Sequence, residues 1–166
     1  MSIGYTICFI KRGEELLMLN RNSPPVCGMW NGVGGKLEEE ETPLSCVRRE
    51  VKEETGLTID EEKFHYKGTI SWVVDGERRG GMHAFVVRMH DDYGYQTPIE
   101  IDEGILTWKD VSWVFSEDNH GVSPMIPYYL PSLLKEVQEI HHHFTVHNRI
   151  IIDYMKAEER IDVVVP

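Results

Sequence analysis

Residues 48–56 read RREVKEETG. Written as a helix, this stretch sets Glu50, Glu53 and Glu54 three and four residues apart, where side chains on one face are neighbours. At 100° per residue, Glu50 and Glu54 fall about 40° apart and Glu53 about 60° beyond Glu50. Like charges at such spacing oppose helix formation by a few tenths of a kcal/mol per pair. The helix has clear ends nonetheless. Thr42 offers an N-cap hydroxyl, Pro43 suits the first helical position, and Gly56 suits the left-handed residue that stops the helix. Leu44, Val47 and Val51 form an apolar stripe at i, i+3 and i+7, and Glu54 lies beside Val47. The acids therefore border the face that packs on the rest of the molecule, where an unpaired carboxylate would neutralise through a shifted pKa. Two readings stand side by side. Either the acids are a solvated charged face, or they are oxygen ligands for a hard divalent cation, Mg²⁺ or Mn²⁺.

The segment before the helix weighs toward the cation. NGVGGK, residues 31–36, is too glycine-rich for a helix or a well-packed strand. Glycine lets backbone approach a ligand closely, and Lys36 supplies a positive charge suited to phosphate oxygens. A lone glycine cluster is more often an ordinary turn; glycines, a lysine and a glutamate triad in one stretch point to polyphosphate chemistry.

The same residues carry a resemblance. Gly35, five residues, Glu41, seven residues, then Arg49-Glu50-Val51-Lys52-Glu53-Glu54-Thr55-Gly56-Leu57 match the Nudix signature G-x5-E-x7-R-E-U-x-E-E-x-G-U, U being aliphatic. The chain thus resembles a Nudix hydrolase, with its box at residues 35–57. The resemblance implies an α/β/α sandwich around a mixed β-sheet and Mg²⁺-dependent hydrolysis of a nucleoside diphosphate linked to another moiety. It implies that Gly35 (through its carbonyl), Glu50, Glu53 and Glu54 hold metal. Arg49 would orient the glutamates, and Glu41 would brace loop and helix. Glu103, in IDEGILTW, resembles the distal acid that completes the metal shell or activates water. Glu53 is the first candidate for general base and Glu103 the second.

WNGVGGK, from Trp30, is similar to the W-N-G-x-G-G-K of mammalian-type 8-oxo-dGTP diphosphatases, nucleotide-pool sanitising enzymes that release the monophosphate and pyrophosphate. By that resemblance Asn31 helps read the base and Trp72 lines the pocket, with Lys36 and Arg21 as further substrate contacts. The blander readings are that Asn31 caps a turn and Trp72 belongs to the core. The chain also departs from those relatives. Where they carry an acid pair before a helix start resembling Tyr128-Tyr129-Leu130-Pro131, it has Ser123, Pro124, Met125 and Ile126. ADP-sugars and dinucleoside polyphosphates are the alternative substrates. An RNA-end pyrophosphohydrolase and a non-catalytic Nudix-fold sensor are the rival functions; the intact box opposes the sensor.

The rest of the chain frames these residues. At 166 residues it has the length of one domain, and we read residues 1–166 as one α+β domain. A formal charge of -11 argues against a surface that grips long nucleic acid or an anionic membrane. Three cysteines without a C-x-x-C pair suit reduced thiols. No apolar run approaches the ~20 residues of a membrane span, so a soluble, cytoplasmic protein is expected, with a small nucleotide as its partner. Nothing in the pattern marks an oligomeric state. IGYTICFI and ELLMLNR read as one hairpin, FHYKGTISWVV and GMHAFVVRM as a second. ILTW and SWVF are shorter strand candidates. YYLPSLLKEVQEIHHHF reads as a second helix, with Pro131 near its first turn and His141–His143 at a wet end. RIIIDY and DVVV are possible late strands.

Overall fold

The computed structural model describes residues 3–135 and 137–158. Its frame is a nine-stranded mixed sheet with helices on both faces. Strands β1 (Tyr5–Arg12) and β2 (Glu15–Arg21) form the first hairpin. β4 (His65–Val74) and β5 (Arg78–Met89) form the second, turning through Asp75 and Gly76 at positive φ, as Asp-Gly hairpin turns require. β6 (Ile99–Ile101) and β7 (Gly104–Asp110) flank β2; β8 (Ile140–His147) and β9 (Ile150–Glu158) extend the other side. The order is β6-β7-β2-β1-β5-β4-β8-β9, with parallel pairing at β1–β5 and β4–β8.

β1 is central and covered on both sides, so both of its alternating sets are apolar. Cys8 and Ile10 face helix α1 (Pro43–Thr55) with Leu17, Leu19, Val47, Val51 and Phe85. Ile7 and Phe9 face helix α3 (Ile126–Lys135) with Met18, Ile70, Tyr129, Leu130 and Phe144. These two cores are the filling of the α/β/α sandwich.

One irregularity positions the site. β1 meets β2 through Ile10, Lys11 and Arg12, opposite Leu17, Leu16 and Glu15. Toward the start of β1, residues 30–36 enter between the two strands. Strand β3 (Trp30–Asn31) pairs with β2, setting Asn31 opposite Leu19 and Trp30 opposite Asn20. Val33 then exchanges hydrogen bonds with Cys8 at 2.7 and 3.1 Å, and the Thr6 N–H donates to the Gly35 carbonyl at 2.8 Å. A Cβ at Gly34, where φ is +145°, would stand 2.3 Å from the Thr6 carbonyl oxygen. Glycine is required here so that backbone can pass backbone.

Two expected elements are different. The second helix was expected to run through His143, but α3 ends at Lys135 and β8 begins at Ile140. Ile140, His142, Phe144 and Val146 are buried while the residues between them are half-exposed, a period of two that fits a strand and not a helix. α3 also starts earlier than expected, with Pro127 in its first turn and Pro131 in its interior. SWVF is not a strand. Val111–Val114 make one helical turn, α2, which buries Val114 and leaves Trp113 exposed. RIIIDY does contribute to β9, and DVVV lies outside the described residues.

Candidate active site

α1 is capped as its sequence requires. The Thr42 hydroxyl accepts from the Ser45 N–H at 3.1 Å, and Gly56, at φ +72°, donates its N–H to the Lys52 carbonyl at 2.8 Å. Val47 and Val51 are fully buried, and Glu54, next to them on the wheel, is only 4% exposed. The helix thus drives one carboxylate into the interior while Glu50 stays half-buried and Glu53 exposed.

Arg49 ties the surrounding acids together. Its Nε and Nη2 donate to the two Glu41 carboxylate oxygens at 2.9 and 2.8 Å, a bidentate pair. Its Nη1 reaches Glu50 at 2.7 Å and Glu53 at 3.3 Å, and Nη2 also donates to the Lys36 carbonyl at 3.2 Å. Glu41 in turn accepts from the Glu38 N–H at 3.0 Å. The Arg49 hydrogen bonds hold the Glu41 carboxyl down at about 2. Loop and helix are therefore one electrostatic unit.

Glu54 is the exception among these acids. One oxygen accepts from the Gly34 N–H at 2.8 Å; the other, Oε1, is buried without a hydrogen-bond partner. Burial first, then the nearby Glu103 carboxyl, push Glu54 up to about 9. Glu50 is raised too, by burial, with Glu53 and Glu103 adding repulsion. Glu103, from the turn between β6 and β7, is thus brought within electrostatic range of both. Gly35 packs against Glu50 so closely that a Cβ there would meet its carboxylate at 2.4 Å. Arg21, at the end of β2 opposite Gly104, has a buried Nε with no partner. Of the three buried unpartnered side-chain atoms among the described residues, one is on Glu54 and one on Arg21, whose strand partner Gly104 follows Glu103.

The donor set suits a divalent cation. Carboxylates and a backbone carbonyl are the hard oxygens that Mg²⁺ and Mn²⁺ take, and the orphaned Glu54 oxygen is a lone pair in want of a positive charge. Among the described residues no three His, Cys, Asp or Glu side chains already converge as a finished cage. Arg49 engages Glu50 and Glu53, and a proton on Glu54 stands in for the cation.

The other expected site residues separate. Lys36 is exposed beside the Arg49 network. The Asn31 Oδ1 accepts from the Gly32 N–H at 2.9 Å, which is the turn-bracing role. Trp72 packs on the α3-side core with its ring over Gly80. The register opposite Leu19 puts Asn31 on the α1 side, so Trp30 and not Asn31 shares Trp72's side of the sheet. Sequence reading had missed a cluster there: the Lys109 ammonium lies 4.2 Å from the Trp30 ring centroid and 4.8 Å from that of Trp113. The clue available was the alternation of Thr107 and Lys109 along β7.

The histidines are not a wet helix end. His142 is fully buried on β8, its Nδ1 2.9 Å from the Tyr154 hydroxyl. His141 and His143 point to the other face. There the Ser71 hydroxyl meets His141 Nε2 at 3.2 Å and His143 Nδ1 at 2.8 Å, while His141 Nδ1 bonds Thr69.

The NUDIX domain family model matches residues 3–129. The chain belongs to the Nudix family. It is a Nudix hydrolase, acting on phosphoric anhydrides in a family that uses divalent metal ions. An uncharacterized Nudix hydrolase of Bacillus subtilis, YvcI, is 29% identical over 141 residues, 84% of each chain. The oxidized purine nucleoside triphosphate hydrolase of Mus musculus is 29% identical over 133 residues, 80% of each. The crystal structure of a MutT protein from Bacillus halodurans superposes with a TM-score of 0.75 at 24% identity, covering 92% of this chain and 95% of that one. The Nudix fold is therefore the sandwich described above. Among the described residues no helix is long and apolar enough to cross a membrane.

Proposed function

We propose that this Nudix hydrolase is a Mg²⁺-dependent pyrophosphohydrolase of purine nucleoside triphosphates, 8-oxo-dGTP among them, releasing monophosphate and pyrophosphate. The observation that carries the chemistry is the buried, unpartnered Glu54 Oε1 facing Glu103 beside the glycine loop. Similarity to the mouse oxidized purine nucleoside triphosphate hydrolase supports the substrate class. The intact box at 35–57 belongs, on this reading, to one domain of residues 1–166.

Glu50, Glu53, Glu54 and Glu103 would hold the cation. The Gly35 carbonyl, which accepts from the Thr6 N–H at 2.8 Å and weakly from the Cys46 thiol at 3.9 Å, would join them by exchanging the weak thiol contact for the cation. A cation bound there neutralises phosphate oxygens and eases ionisation of the attacking water. Glu53 is the exposed acid, joined to Arg49 by the longest of its carboxylate contacts at 3.3 Å, so it is the first candidate to accept the water's proton. Glu103 is the second choice. Arg49 and Glu41 keep the acids in register with the loop. Lys36 and the unpartnered Arg21 Nε contact phosphate oxygens.

A net charge of -11 suits a small polyanion carried in with its cation better than a long nucleic acid. Free Cys8, Cys27 and Cys46 suit a reducing cytoplasm, where such an enzyme would cleanse the nucleotide pool in support of DNA repair. The test is a panel of 8-oxo-dGTP, dGTP, dATP and ADP-ribose with Mg²⁺, products resolved by chromatography. Pyrophosphate from the triphosphates is expected. Orthophosphate as first product, or ADP-ribose cleavage without triphosphate cleavage, overturns the proposal.

A further inference from the structure

Lys109 is held in an unusual position for a lysine in so acidic a chain. Its stem leaves β7 opposite Leu16, and its ammonium, not merely its stem, lies over two indoles at 4.2 and 4.8 Å from their centroids. The backbone of both tryptophans is held in place. The Trp30 N–H donates to the Gly121 carbonyl at 2.8 Å, and the Trp30 carbonyl accepts from the Ser123 N–H at 3.0 Å. The Trp113 carbonyl accepts from Asn119 Nδ2 at 2.7 Å, and Asn119 Oδ1 accepts from the Gly121 N–H at 2.8 Å. Among the described residues no carboxylate pairs with Lys109, although the chain holds 28 acids. Ring faces satisfy its charge but accept none of the hydrogen bonds an ammonium donates. A lysine that merely covered an aromatic would carry its head out to water.

The cluster stands at the base end of the proposed substrate path. From Trp30 to Gly34, whose N–H reaches Glu54, four extended residues span about 13 Å at ~3.3 Å each. A nucleotide with its outer phosphates at Glu54 and Glu103, beside α1, would have to pass to the α3 side of the sheet to set its base against Trp30. An ammonium has three donors and no acceptor. It matches the O6 and N7 acceptors of guanine and opposes the N6 amine of adenine.

We propose, resting on the purine triphosphate reading, that Lys109 is a specificity-determining residue: clamped by Trp30 and Trp113, it selects guanine-type over adenine-type bases. Segment 121–123, which carries no acid, forms the wall beside it, so recognition is by donation to base oxygens.

The experiment compares kcat/KM for dGTP and dATP in the wild type and in Lys109→Met, Lys109→Arg and Lys109→Glu. Lys109→Met is expected to reduce the guanine preference about tenfold, the loss of one good base contact; Lys109→Arg keeps it, and Lys109→Glu favours adenine. An equal fall for both nucleotides, or an unchanged ratio in the Met and Glu variants, overturns the proposal. Should Lys109→Met fail to fold, Lys109→Leu, which also removes every donor, makes the same comparison. Binding of GMP and AMP, followed by tryptophan fluorescence, separates the two readings. If no triphosphate is hydrolysed, the purine triphosphate reading fails, and Lys109 is judged on that titration alone. A GMP preference lost in Lys109→Met sustains its role; no preference, or one that survives, ends it.

Discussion

Two runs of neighbouring titratable residues, the acids Glu50–Glu54 on α1 and the histidines His141–His143 on β8, reach opposite ends. A strand sends alternate side chains to opposite faces. His141 and His143 find Thr69 and Ser71 on one side, and His142 finds Tyr154 on the other. The Tyr154 hydroxyl donates to the Tyr128 carbonyl at 3.1 Å, so it accepts from His142 and fixes the proton on Nδ1. A helix instead gathers its acids on one side, where Arg49 satisfies two and leaves Glu54 in the interior. His142 Nε2 is also unpartnered, but it belongs to a neutral ring stacked on Tyr154, with no acid among the groups that shift its pKa. Glu54 is an acid among acids. An orphaned atom marks a site when its neighbours share its need, and only the helix run meets that condition.

The sharpest way to break this contrast is substitution. Glu53→Gln and Glu54→Gln should each lower Mg²⁺-dependent pyrophosphate release by about 10³-fold or more with circular dichroism unchanged, whereas His141→Gln and His143→Gln should leave the rate within about twofold. A full rate in the presence of a chelator, or in Glu54→Gln, would place the chemistry elsewhere. Next in size is stabilisation by the ion. Mg²⁺ at a hundredfold excess over its dissociation constant should add roughly 2.7 kcal/mol by mass action. Thermal melts with and without Mg²⁺ measure this, and Glu54→Gln should abolish most of the shift.

The two runs should also bend stability in opposite directions with pH. Without metal, the raised Glu54 holds a proton that the unfolded chain releases. Its contribution is full below about pH 4.5 and is lost as pH rises toward about 9. Burial, with Lys156 and His141 nearby, lowers His142 to about 4, so its contribution is full above about pH 6.5 and is lost as pH falls. Metal-free melts from pH 4 to 9 should lose their alkaline decline in Glu54→Gln and their acid decline in His142→Gln; a decline that persists in its own variant refutes that assignment. The smallest effect belongs to Asn31→Ala. Losing the Oδ1 bond to Gly32 should destabilise by about 1 kcal/mol and leave the dGTP-to-dATP ratio intact, since Asn31 lies away from Trp72. A ratio that moved would return Asn31 to base reading.

Much of α1 was legible in the sequence because its signals are local: Thr42, Pro43 and Gly56 cap it in place, and the Val47–Val51 stripe sets its rotation. Both hairpins were legible for the same reason. The proximity of Glu103 to Glu54 spans nearly a third of the chain and is fixed by β7 pairing with β2, so it came only by resemblance. The histidine strand was misread because Leu133, Leu134 and Lys135 are helical and the sequence runs on to EIHHHF without a proline or glycine; only the pairing with β4 and β9 separates the two. SWVF was misread because four residues hold too few turns to show a period. Asn31 and Trp72 looked like partners because each neighbours the loop or its facing strand in sequence. Which side of the sheet each takes is a matter of register, and register is not written in either segment alone.

Residues 30–36 lie between β1 and β2, hydrogen-bonded to both. A loop woven into a sheet this way cannot swing as a lid. The Val33 amide, and the β1 amides of Thr6 and Cys8 that bond to the loop, open only when the strands part, so their hydrogen exchange is tied to opening of the core. The glycine-rich backbone beside Glu54 is thus held by the sheet itself.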